Sequence, residues 1–60
     1  MSNYLKYSVV RYKGDSLWFV VGCECGTRFH YDHYRNFDSA FKMAKALNCG
    51  RDPEVTDYTT

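Results

Sequence analysis

The sequence predicts an α+β fold, a three-stranded antiparallel sheet with one helix packed on one face, in the order β-β-β-α. Three observations predict it. Two runs rich in β-branched and aromatic residues, Tyr4 to Tyr12 and Leu17 to Glu24, flank a short segment containing Gly14, which is the pattern of a hairpin. A second tight-turn pair, Cys25-Gly26, precedes a third, shorter run, Thr27 to Tyr31. Phe37, Ala40, Phe41, Ala44 and Leu47 then recur at helical spacing and define one apolar stripe.

The elements follow in order. Polar residues punctuate the first run at roughly period two, as in a strand with two different faces. Lys13-Gly14-Asp15-Ser16 is a turn in which Gly14-Asp15 suits a two-residue hairpin loop. The second run is more apolar and is therefore expected at the centre, leaving the first strand at an edge. Thr27, Phe29 and Tyr31 share one side of the third strand. Asp32 to Asn36 reads as a polar loop. Asn36 or Asp38 can cap the helix, and Asp38 also suits the positive end of its dipole. Lys42 and Lys45 lie off the apolar stripe. Asn48-Cys49-Gly50 marks the helix exit, with Gly50 expected in the left-handed closing position. A helix of about three turns does not persist alone and must dock on the sheet. Residues 1–50 thus form a single domain. Residues 51–60 contain Pro53 and few apolar side chains and are expected to be an acidic flexible C-terminal tail.

Composition narrows the function classes. A 60-residue chain makes one domain whose stability is on the order of a few kcal/mol. Its three cysteines are an odd number, and the start, Met1-Ser2-Asn3-Tyr4-Leu5-Lys6, lacks a basic region followed by an apolar run. Free thiols and a cytoplasmic location are expected. The longest apolar run, Leu17 to Val21, is far too short to span a membrane. Net charge is +1, so bulk electrostatics do not announce a nucleic-acid protein; the body is mildly basic and the last ten residues mildly acidic. Aromatic content is the outlier, with six Tyr, four Phe and one Trp. That is more rings than one core face can hide, and Tyr and Trp favour interfaces.

Two-residue turns would fix the strand register. The first hairpin would pair Tyr12 with Leu17, Arg11 with Trp18, Val10 with Phe19, Val9 with Val20, Ser8 with Val21 and Tyr7 with Gly22. The second would pair Glu24 with Thr27, Cys23 with Arg28, Gly22 with Phe29, Val21 with His30 and Val20 with Tyr31. Opposed residues share a face. One face then carries Leu5, Tyr7, Val9, Trp18, Val20, Phe29 and Tyr31. This is the candidate core face, with Tyr7 and Phe29 closing over Gly22 and Arg11 forming a cation–π pair on Trp18. The other face carries Val10, Tyr12, Leu17, Phe19, Val21, Cys23 and His30, diluted by Lys6, Ser8 and Arg28. One short helix cannot cover both faces. Val10, Tyr12, Leu17, Phe19, Val21 and His30 are therefore the candidate binding residues.

No cofactor and no catalytic residue is assigned. A nucleophilic Cys beside His30 or His33 would need an electropositive cleft, and a domain this small offers little concavity. Cys23, Cys25, His30 and His33 are a secondary metal candidate, with Cys49 able to replace one of them. The Cys-x-Cys spacing weakens it, because a strand leaves those Cα atoms about 6–7 Å apart. Lys6, Arg11, Trp18 and Arg28 are the alternative, nucleic-acid-binding set, since small sheets stack bases on aromatic faces edged with cations.

Trp18 in the second strand and the run Phe37-Asp38-Ser39-Ala40-Phe41-Lys42-Met43-Ala44 resemble small DNA-binding domains of the AP2 and integrase-arm type. The run is similar to their Phe-[Asp/Ser]-x-x-x-Ala helix start. The likeness covers about two-thirds of the chain and rests on packing residues, so it implies the fold and little about activity. The strands here also hold few of the Arg and Lys those families use on DNA. In type, the chain is similar to accessory products of bacteriophages and mobile elements that inhibit or redirect one host protein. The expectation is a non-enzymatic protein-binding module whose partner is a host protein or a second copy in a homodimer. Tyr58 and its acidic neighbours could also act as a short linear motif.

Overall fold

The structure, a computed structural model, describes residues 5–59. Tyr4 and Thr60, read above as part of the first strand and of the tail, lie outside these. The chain folds in the order β1 (Lys6–Arg11), β2 (Trp18–Glu24), β3 (Thr27–Tyr34), α1 (Phe37–Leu47) and β4 (Glu54–Asp57). The α+β class stands, but the sheet has four strands, in the order β3-β2-β1-β4. β1 pairs antiparallel with β2 and parallel with β4, so the sheet is mixed. β1 is therefore an inner strand, and the edges are β3 and β4. No helix among the described residues is long and apolar enough to cross a membrane.

The first hairpin has the expected register, from Val10 opposite Phe19 to Tyr7 opposite Gly22. Its turn differs. The Asp15 amide donates to the Tyr12 carbonyl at 3.1 Å, and Gly14 has φ 85°. The central pair is thus Lys13-Gly14, with Gly14 supplying the positive φ. Tyr12 and Leu17 lie beyond the strand ends and do not pair. In the second turn Cys25 and Gly26 both take positive φ, 53° and 84°, as a tight two-residue hairpin requires.

β3 follows its expected register from Glu24–Thr27 to Val21–His30 and then slips. Val20 pairs with Asp32, not Tyr31, across a bulge. The strand continues to Tyr34, so most of the segment read as a polar loop is strand. Two rings, Tyr31 and Tyr34, draw this run into the sheet: Tyr31 packs edge-on against Tyr7 at 5.5 Å, and Tyr34 joins the core.

One face of the sheet docks α1. Val9, Val20, Ala40 and Ala44 are fully buried there, with Tyr7, Trp18, Tyr34, Phe37, Met43 and Leu47 packed around them. Ala40 and Ala44 let the helix approach Val9 and Val20 closely. Phe29 lies over Gly22, where an added Cβ would overlap its Cζ. The Arg11 guanidinium stands 4.5 Å from the Trp18 ring centroid, the cation–π pair expected from the register. Asn36 occupies the N-cap position without a side-chain cap bond. At the other end the Gly50 amide donates to the Lys45 carbonyl and the Cys49 amide to that of Ala46, a Schellman closure. Cys49, with φ 58°, takes the left-handed closing position there, in place of the expected Gly50 alone. Asn48 then ties the helix end to β1: its side chain accepts from the Tyr7 amide and donates to the Tyr7 carbonyl, both at 2.9 Å.

The expected flexible tail is corrected. Pro53 is buried, and Glu54–Asp57 forms β4 beside β1, with Val9 opposite Val55 and Arg11 opposite Asp57. Asp57 accepts from Arg11 Nε at 3.2 Å and from Nη2 at 2.8 Å. It also accepts from the Thr59 amide and hydroxyl. Arg11 foremost, and then Thr59, hold the Asp57 carboxyl well below the usual carboxylate range. The backbone continues the pairing, with the Tyr58 amide donating to the Arg11 carbonyl at 2.8 Å.

Candidate functional site

Strand alternation places Lys6, Ser8 and Val10 of β1 on the face away from α1, with Phe19, Val21 and Cys23 of β2 and Arg28 and His30 of β3. Parallel pairing adds Glu54 and Thr56. A row of rings runs across this open face. Tyr58 stacks on Tyr12, with centroids 6.0 Å apart and planes 10° from parallel. Tyr12 meets Phe19 edge-on at 5.6 Å, and Phe19 contacts both His30 at 5.6 Å and His33 at 5.7 Å. His30 and His33 stack at 5.3 Å.

The candidate binding residues divide into two layers. Val10 and Val21 are buried, at 3% and 8% exposure, although the helix lies on the other face. They form a floor between the rings. Tyr12 is 40% exposed and Tyr58 52% exposed, Phe19 is half-buried, and His30 and His33 are exposed. Leu17 is half-buried just before β2. A shallow depression of about 320 Å³ is lined by Tyr12, Phe19, Val21, Arg28, Phe29 and His30. A larger groove of about 680 Å³ lies between the start of β1 and the helix exit, with Leu5, Lys6, Asn48 and Pro53 among its walls.

Two rings of this face were not placed on it from the sequence, Tyr58 and His33. Tyr58 arrives because β4 pairs with β1. His33 arrives because of the bulge: three residues from His30, it would point the opposite way in a regular strand. The Asp32 carboxylate accepts from the His33 amide at 2.8 Å and from the Tyr34 hydroxyl at 3.2 Å, bracing the irregular backbone. The bond from the His33 amide pulls the Asp32 carboxyl below its ordinary range, while desolvation foremost, with the Asp32 bond, pushes the Tyr34 hydroxyl up.

The nucleic-acid set does not form one surface. Lys6 and Arg28 lie on the open face. Arg11 and Trp18 lie on the helix face, where Arg11 is ion-paired to Asp57 and stacked on Trp18. The four-residue metal candidate does not assemble either. No group of three or more His, Cys, Asp or Glu side chains among the described residues could hold a metal ion. Cys25 sits in the turn, exposed, and all three thiols are free. Comparison with family models, curated proteins and solved structures gave no match.

Proposed function

We propose that this chain is a non-enzymatic binding module that contacts another protein through the open face of its sheet. The row Tyr58, Tyr12, Phe19, His30 and His33 carries the reading. These rings stand side by side over a buried valine floor on the face opposite the helix. Flat rings on a braced sheet present a large contact area at small entropic cost, which suits hot-spot residues. A host protein is the partner class we favour, in keeping with an accessory protein of a phage or mobile element, and self-association is the competing occupant. Nucleic acid has weaker support, because only Lys6 and Arg28 of its four residues share the face with the rings, and two cations make a short phosphate track.

Light scattering at several concentrations comes first: a monomer leaves the face to a foreign partner, and a persistent dimer assigns it to a second copy. Capture from lysate with wild type, Phe19→Asp and Tyr58→Ala side by side then tests the face itself. Partner capture is expected to be lost in Phe19→Asp and reduced in Tyr58→Ala, with circular dichroism unchanged. Loss of binding on Lys6→Glu and Arg28→Glu, with Phe19→Asp still active, would replace this reading with the nucleic-acid one.

A further inference from the structure

We propose that His30 and His33 form a two-nitrogen site for a divalent transition-metal cation of the copper, nickel or zinc class. The site is built by the bulge. It brings the two imidazoles to the same side of β3, with His33 Nδ1 3.2 Å from His30 Nε2. Two nitrogens that far apart, each about 2.0–2.1 Å from one ion, subtend about 100° at it, between the square-planar and tetrahedral angles. The separation is therefore that of neighbouring ligands in one coordination sphere.

The exchange balances simply. In the cation-free pair one ring donates its N–H to the other, so one proton lies between the two nitrogens. On binding, that proton leaves the facing nitrogen while one from water is taken up at the same ring's other nitrogen. The ring thus changes tautomer with no net proton released, and both facing nitrogens become ligands through their lone pairs. The Phe19 ring borders both imidazoles. The Asp32–His33 backbone bond fixes the strand between them. Both histidines are exposed, so an ion can enter and complete its coordination with water. An all-imidazole pair favours copper, nickel and zinc over the hard cations that take oxygen ligands. This inference is independent of the protein-binding reading, which needs no metal.

The test is calorimetric titration of Cu(II) into the full, untagged chain carrying Cys23→Ser, Cys25→Ser and Cys49→Ser, so that no thiol competes. One ion per chain is expected, with two imidazole nitrogens in the Cu(II) paramagnetic resonance spectrum. His30→Ala and His33→Ala should each weaken binding on the order of a hundredfold, because the second nitrogen closes the chelate at high effective concentration. A loss below about tenfold in either variant, on the same reasoning, overturns the proposal, as does a spectrum with fewer than two imidazole nitrogens. Should the thiol-free chain fail to fold, Zn(II) titration of wild type is followed by the histidine ring resonances. Joint movement of His30 and His33 at one equivalent supports the site, and independent or absent movement overturns it.

Discussion

The two faces of this sheet are both apolar, and they are buried by different means. On one, a helix with alanines at its contact points seals Val9 and Val20 completely. On the other, Val10 and Val21 lie beneath rings that themselves stay in water. The inner strands β1 and β2 thus bury valine on both sides, although only one side has a helix. A chain of this size has too few residues to build a second covering layer. Flat aromatic side chains take over that role, and in doing so they become the exposed surface.

The difference between the faces can be tested by isosteric substitution. Val20→Thr puts a hydroxyl into the sealed layer, where the neighbouring strand carbonyls already serve the ladder. A loss of about 2 kcal/mol is expected. Val21→Thr puts the same group beneath rings close to water, and less than about 1 kcal/mol should be lost. Chemical denaturation of both variants measures the contrast, and equal losses would break it.

Asp57 joins the open face to the rest of the fold, because its bonds hold β4 and hence Tyr58 in place. Its carboxyl is depressed in the folded chain, so its stabilising contribution is complete above the ordinary carboxylate range, near about pH 4, and is lost as pH falls below it. The thermal midpoint of wild type should therefore drop more steeply below about pH 4 than that of Asp57→Asn, which starts lower. In the same variant Tyr58 should loosen from Tyr12, visible as a change in near-ultraviolet circular dichroism. A parallel pH course in the two proteins would show that β4 is held by its backbone pairing alone.

The smallest expected effect lies at the helix exit, away from the open face. Cys49 holds a left-handed conformation that glycine adopts without steric cost. Cys49→Gly should stabilise by about 0.5–1 kcal/mol and leave binding by the open face unchanged. A loss of stability would mean that the Cys49 side chain contributes more than its backbone strain costs.

Much of this arrangement was legible from local pattern. The first-hairpin register, the face holding Tyr7, Val9, Trp18 and Val20, the Arg11–Trp18 pair and the helix stripe follow from alternation, turn residues and helical spacing. Phe29 and Tyr31, expected in the core of that face, are instead 39% and 45% exposed. Two of the departures, β4 and the bulge, depend on long-range pairing. β4 holds a single large apolar residue, Val55, and its strand character depends on a partner more than 40 residues away. The β-branched run Val55-Thr56 just after Pro53, with Asp57 and Tyr58 following, was a faint signal, since proline is tolerated at a strand start. The bulge at Tyr31 left no mark in composition, and a slip of one residue moves every later side chain to the other face. The Lys13-Gly14 turn was misplaced by one residue because Gly14 suits either position.

The sequence by itself determined the elements whose partners lie close along the chain: two hairpins, one docked helix, and a second apolar face too large for that helix to cover. Only the tertiary structure decided how that face is completed. Parallel pairing brings Tyr58 beside Tyr12, and the bulge brings His33 beside His30. Both depend on long-range registry, which is set by the fit of the whole sheet and not by the preferences of the residues it brings together.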